Sequence, residues 1–149
     1  FQMNVGYFDT DFVKSKFQSF TSPNELLAWA DIVSIHIPYN SENHNFVNGL
    51  LLQSCNPNAI IINTSRGNVW DENVIADLLK KKKIKGIATD VLQNEFDKAT
   101  IAINPLIKLA KENNNLIITP HIAGASYESM EMTENFIVEK FIKITKCAE

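Results

Sequence analysis

The sequence has 149 residues, 45% of them apolar, and a net charge of -3. That is enough chain for one domain with a sizeable core, and the mild acidity gives no reason to expect nucleic acid or an anionic membrane surface as a partner. No stretch nears the ~18 apolar residues of a membrane span, no signal peptide is visible, and Cys55 and Cys147, far apart and without metal-ligand spacing, read as reduced thiols of a cytoplasmic protein.

In chain order, Met3 to Phe8 reads as a strand that ends at Asp9, and residues 10–20 carry no clear pattern. Ser22-Pro23 has the form of a helix start, with Ser as N-cap and Pro at the first helical position, opening a short helix from Pro23 to Ala30. Ile32 to His36 is the next strand, stopped by Pro38. A polar loop over 39–45 leads to a short helix over Val47 to Ser54, and Asn56-Pro57-Asn58 is a turn. Ala59 to Ile62 is a strand, followed by a loop over 63–67. Asp71 to Lys83 is the clearest helix, because Val74, Ile75, Leu78 and Leu79 recur at helical spacing. Asp71 and Glu72 at its start and Lys80 to Lys83 at its end complement the helix dipole, so the lysine run reads as a helix end rather than a binding patch. A strand from Gly86 to Thr89 ends at Asp90-Val91, residues 92–104 form a loop, Pro105 to Glu112 is a helix and Leu116 to Thr119 a strand. A long amphipathic helix runs from Ser126 to about Lys146, with Met130, Phe136, Ile137, Phe141 and Ile144 on its inner face.

Strands alternate with helices throughout, the pattern of a doubly wound α/β fold with parallel strands and helices on both faces. Ligands of such sheets sit in the crevice outside the carboxyl ends of the strands. Arg66, Glu95 and His121 each lie just past such an end and form an acid–base set if they converge. A guanidinium fits a carboxylate bidentately and polarises a neighbouring carbonyl, and Gly67 permits the turn that would aim Arg66 inward; a solvated loop arginine is the other reading. A glutamate bonded to imidazole fixes its tautomer and raises its pKa, which suits a histidine that gives a proton to a ketone and takes it back from an alcohol; the alternative for His121 is a structural histidine. Asp9, at a strand end, is either a ribose ligand that favours NAD over NADP or a turn cap. Asp90 either meets a cofactor amide or ring, or serves as a cap or ion-pair partner within the fold. His36 reads as a strand-end residue near a ligand edge and His44 as a loop residue, and the three histidines have no metal-ligand spacing.

Four ordered motifs tie these segments together: Ile35-His36-Ile37-Pro38, Asn63-Thr64-Ser65-Arg66-Gly67 with Asp71-Glu72 after it, Gly86 to Val91, and Thr119-Pro120-His121-Ile122-Ala123-Gly124. Over nearly the whole chain they resemble the NAD-binding domain of the D-isomer-specific 2-hydroxyacid dehydrogenases, which D-lactate, D-3-phosphoglycerate, glyoxylate/hydroxypyruvate and formate dehydrogenases share. The resemblance implies a Rossmann-type domain that binds NAD and a small 2-keto or 2-hydroxy acid, with a homodimer in the full-length protein. It implies His121 as the acid–base residue, Glu95 as its carboxylate partner and Arg66 as anchor of the substrate carboxylate. Asp9 corresponds to the adenosine-ribose ligand and Asp90 to the residue near the nicotinamide, while Ile37, Pro38, Asn43, Thr64, Ser65 and Gly124 fall on the dinucleotide groove. No metal is implied.

Two departures stand against that pattern. Glu95 is followed by Phe96-Asp97 where the family has a Pro-containing loop. The five glycines, Gly6, Gly49, Gly67, Gly86 and Gly124, form no Gly-rich phosphate turn. With a chain that opens at Phe1, almost directly on a strand, this leads to the expectation of a fragment of a longer protein: an NAD-binding domain lacking its first strand–helix unit, with the substrate-binding domain absent. The missing strand belongs at the centre of the 3-2-1-4-5-6 order, so its two neighbours would be left with bare edges, and the 149 residues alone would neither turn over substrate nor bind NAD tightly. An NAD-sensing binding module or corepressor scaffold on the same fold is the competing function. An unrelated Rossmann-type methyltransferase would explain Asp9 but leave Arg66 and His121 idle.

Overall fold

A computed structural model describes residues 2–146, the side chain of Lys146 excepted; the expectation of a reduced thiol at Cys147 falls outside them. The chain divides into two compact units, Phe1–Ile118 and Thr119–Glu149. In the first, β1 (Gly6–Tyr7) pairs in parallel with β2 (Gln18–Ser19). A second parallel sheet has the order β3 (Ile32–Ile35), β4 (Ile60–Asn63), β5 (Gly86–Thr89), β6 (Leu116–Ile118). The connecting helices are α1 (Pro23–Trp29), α2 (Gly49–Leu52), α3 (Glu72–Lys80), α4 (Lys98–Ile103) and α5 (Pro105–Ala110), with a single 3-10 turn over Gly67–Val69. The parallel α/β topology is that of a doubly wound Rossmann-type fold.

Local chemistry sets the helix boundaries. Ser22 Oγ accepts from Glu25 N at 3.3 Å, while Glu25 reaches back to Thr21, so α1 is capped in both directions. Asp71 is the N-cap of α3 rather than its first residue, accepting from Asn73 N and Val74 N. That helix ends at Lys80, the first residue of the lysine run. Lys82 takes a φ of 54°, and Lys83 N and Lys82 N donate back to Leu78 O and Leu79 O, a Schellman stop without glycine.

Register assigns the sheet its faces. Val33, Ile61, Ile87 and Leu116 share one face and are buried, against Ile75, Leu79, Leu106 and Leu109 of α3 and α5 in one core. Ile32, Ile60, Gly86 and the half-buried Ala88 share the other, where Ile32 is 51% exposed and Ile117, paired with Ala88, is 62% exposed. The central hydrophobic block is therefore one-sided. Trp70 is fully buried within it, and its indole N–H has no hydrogen-bond partner among the described residues, a debt of about 1–3 kcal/mol for a buried donor.

The four-stranded sheet is not hydrogen-bonded to β1 and β2; among the described residues β1 pairs only with β2, and β3 only with β4. Between them lies a cavity of about 1120 Å³, bordered by every residue from Met3 to Thr10 and every residue from Trp29 to Pro38. A sheet face would show alternate residues; consecutive lining on both sides means that two backbone edges flank the opening. Among the described residues there are six strands, not the five that the sequence predicts, and β1 is two residues long where the sequence predicts Met3 to Phe8.

Other elements also differ from expectation. β2 falls in the stretch without pattern, since a two-residue strand with both side chains exposed leaves no alternation to read. Residues 92–104 contain α4, capped by Asp97, whose side chain accepts from Ala99 N and Thr100 Oγ1; with no buried residue it has no apolar period. Val47 is not helical: it forms a parallel bridge with Trp70, and Asn48 caps α2 instead. In the second unit α6 (Tyr127–Lys146) is one long helix, as expected. Its expected inner face is exposed, with Phe136 at 63% and Phe141 at 65%, because among the described residues of that unit no second element receives the stripe.

Candidate active site

The turn after β4 is built around Asn63, fully buried at the last strand position. Its Oδ1 accepts from Ser65 N at 3.0 Å and Ser65 Oγ at 2.9 Å, and its Nδ2 donates to Arg66 O at 3.0 Å. Its backbone oxygen accepts from Asp90 N at 3.0 Å, tying the turn to the end of β5. The sequence presents Asn63 only as a loop residue, and its available signal is a polar residue closing an all-isoleucine run. Arg66 is exposed, and its guanidinium donates to Ser65 O at 2.6 Å.

A pocket of about 440 Å³ opens at the carboxyl ends of β3 and β4, lined by His36, Ile37, Pro38, Tyr39, Thr64, Ser65 and Arg66. Five sequence-predicted residues, Ile37, Pro38, Thr64, Ser65 and Arg66, meet there. His36, Ile37 and Pro38 also line the larger cavity, where Asp9 stands on the opposite wall. Asp9 is exposed and spends Oδ1 on Asp11 N at 3.0 Å. His36 Nε2 lies 2.8 Å from Ser34 Oγ. Asn43 holds the loop beyond Pro38: its Oδ1 accepts from Asn40 N at 2.8 Å and its Nδ2 donates to Pro38 O.

The segment after β5 carries Asp90, 5% exposed, and the half-buried Glu95, whose Oε2 accepts from Leu92 N at 3.1 Å. It packs on the arginine turn. A Cβ built on Gly67 would lie 2.1 Å from Leu92 C and 2.4 Å from Gln93 N. Gly67 is therefore required by close backbone approach, and not by turn geometry as expected, because no glycine in the chain has a positive φ. Beneath it, Glu72 is 2% exposed. Burial pushes its carboxyl up and the Asp71 and Glu95 charges add to this, against hydrogen bonds from Gln93 and Asn104 that pull it down.

His121 and Gly124 belong to the second unit. His121 takes a φ of 55° and its N–H donates to Thr119 O at 3.1 Å; both residues are exposed. Among the described residues no group of three His, Cys, Asp or Glu side chains could hold a metal ion, and no helix is long and apolar enough to cross a membrane.

A parallel α/β domain whose polar groups gather beyond the carboxyl ends of its strands is a nucleotide-binding fold of the doubly wound class. Residues 1–123 match the family described as D-isomer specific 2-hydroxyacid dehydrogenase, NAD binding domain, and the chain belongs to that family. The D-3-phosphoglycerate dehydrogenase of Haemophilus influenzae is 36% identical over 123 residues, covering 82% of this chain and 29% of that protein. The glyoxylate reductase of Korarchaeum cryptofilum is 31% identical over 146 residues, covering 95% and 42%. The crystal structure of D-lactate dehydrogenase from Aquifex aeolicus, complexed with NAD and lactic acid, superposes with a TM-score of 0.75 at 30% identity over 95% of this chain and 46% of that one. The chain spans about a third of the length of the first curated relatives it matches.

Proposed function

We propose that this chain is the NAD-binding part of a dehydrogenase that interconverts a small D-2-hydroxy acid and its 2-keto acid. The observation that carries the reading is the pocket in which Arg66 closes one wall and Ile37-Pro38 the other, at the strand ends where this family's cofactor domain is used.

The residues present fit two parts of NAD. The exposed Asp9 carboxylate offers the acceptor a ribose diol needs, and Ile37 with Pro38 offers an apolar wall for a ring. A glycine-rich seat for the pyrophosphate is not among the 149 residues. NAD, when bound, supplies or accepts the hydride at its nicotinamide C4. Arg66 holds the substrate carboxylate and polarises the C2 carbonyl. His121 donates a proton to the carbonyl oxygen during reduction and takes it back during oxidation. Glu95 stabilises the imidazolium and fixes the ring's orientation. On the family resemblance we assign Asp90 to the nicotinamide end and Asn43, Thr64, Ser65 and Gly124 to the residues that would hold the dinucleotide. The supporting facts are the family and the pocket that Ile37, Pro38, Thr64, Ser65 and Arg66 share; the full-length protein is read as a cytoplasmic homodimer on the family resemblance alone.

The test is NADH oxidation by the full-length protein with 2-keto acids and with the matching ketones that lack a carboxylate. Turnover confined to the keto acids, with KM raised at least ~10-fold in Arg66→Gln, supports the assignment. Failure to oxidise NADH with every acid, together with NAD-dependent association to a partner protein, would replace it with the binding-module reading.

A further inference from the structure

Two backbone amides in succession, Leu92 N–H and Gln93 N–H, each donate to a carboxylate. Leu92 N–H goes to Glu95 at 3.1 Å, and Gln93 N–H to Glu72 Oε1 at 2.7 Å. The other oxygen of Glu72, Oε2, accepts from Asn104 Nδ2 at 2.6 Å. Asn104 in turn caps α5 through Oδ1, which accepts from Leu106 N at 2.9 Å and Ile107 N at 3.3 Å. One side chain on the first turn of α3 thus grips both ends of the segment 93–104, which carries Glu95. The Gln93 side chain adds a third tie, donating to Trp70 O at 2.6 Å and Asn45 Oδ1 at 3.1 Å.

The gripped peptide is also the one against which Gly67 packs without room for a Cβ. Arg66 is the next residue before Gly67. The arginine turn thus meets the Glu95 segment at Gly67 on Leu92–Gln93, and Glu72 Oε1 accepts from the N–H of that same peptide.

We propose that Glu72 is a positioning residue that fixes the Glu95 segment against the Arg66 turn through the Gln93 amide and Asn104. This rests on the reading that Arg66 and Glu95 serve one reaction. Both partners of Glu72 are donors, so two acceptor oxygens are required and an amide in its place must turn an NH2 toward one of them. Among the described residues Glu72 makes no ion pair. The charged groups that act on it are Asp71 beside it and Glu95 across the contact, both acidic. A buried carboxylate held only by neutral donors and facing two like charges costs stability, and its geometric task accounts for its presence.

The test combines kinetics of the full-length protein with amide hydrogen exchange. Glu72→Gln should lower kcat about 10- to 100-fold, the scale of an ångström-level misplacement, while KM for NADH stays within about twofold. The Gln93 amide should exchange at least ~10-fold faster while Ile61 and Ile87 in the sheet keep their protection. Glu72→Asp, which retains both acceptor oxygens on a shorter stem, should recover part of kcat and part of the Gln93 protection. Unchanged Gln93 exchange in Glu72→Gln, or a fall in kcat no larger than the rise in KM for NADH, overturns the proposal. A wild-type protein without turnover overturns the functional reading instead, and the exchange rates then decide the clamp alone.

Discussion

Gly67→Ala puts a methyl group where the structure has none to spare. The new Cβ would stand 2.1 Å from Leu92 C and 2.4 Å from both Gln93 N and Leu92 O, whereas ordinary contact begins at 3.4 Å. The two backbones must separate by about 1.3 Å, and neither can yield by a rotamer change because all three atoms are main chain. Overpacking of this kind costs about 1–3 kcal/mol. The displacement also carries the Arg66 turn away from the Glu95 segment, which at about 1 Å is enough for a ~100-fold loss of kcat/KM. Urea unfolding of the chain measures the first quantity, and NADH oxidation by the full-length protein the second. A Gly67→Ala variant with the wild-type urea midpoint and wild-type kcat/KM would refute the argument that this contact sets the geometry.

Glu72 makes stability depend on pH with a definite sign. Its pKa in the folded protein is raised above the ordinary 4.5, so between the two values the folded state binds more protons than the unfolded one, and stability falls as pH rises. Its favourable contribution is complete below about pH 4.5 and is lost as pH climbs through the raised folded value, so the stability of wild type relative to Glu72→Gln should decline across that window in urea titrations; a flat difference contradicts it. Asp71→Ala removes the side-chain cap of α3 and should cost about 1 kcal/mol, read as a lower urea midpoint at unchanged m-value. Cys55 is buried and its thiol is pushed up by desolvation, so in a Cys147→Ser variant it should resist a disulfide reagent at pH 8 until the chain unfolds. The 149-residue chain alone should show no tight NAD binding by calorimetry, since no glycine-rich pyrophosphate seat is present in it; sub-micromolar binding would contradict the partial fit.

The parts of this fold that sequence displays are those where burial dictates residue type. Ile60 to Ile62, Gly86 to Thr89 and Leu116 to Ile118 are short apolar runs because each is a paired strand with one face in the core, and their ends are legible to within a residue. Ser22-Pro23 announced α1 because a cap and a ring that presets φ have few other uses side by side. What stayed hidden depends on tertiary contact. α4 has no fully buried residue, only the half-buried Ile101 against the core, and so leaves no period. Gly67 looks like any turn glycine until Leu92 is seen against it. Glu72 reads as a helix-start charge complementing the dipole, and only the packing of 93–104 over it shows a buried acceptor pair. Arg66, Thr64 and Ser65 were legible as a loop motif, but their meeting with Ile37 and Pro38 required the parallel register of β3 and β4.

We propose that Arg66, Glu95 and His121 act together on a 2-keto acid. This joint action is tested most directly by the rate of NADH oxidation with a 2-keto acid for the full-length protein and its His121→Gln variant. Turnover by the wild type is expected, with a loss of about 100- to 10,000-fold in the variant, the usual worth of a positioned general acid. Equal rates in the two proteins would contradict it.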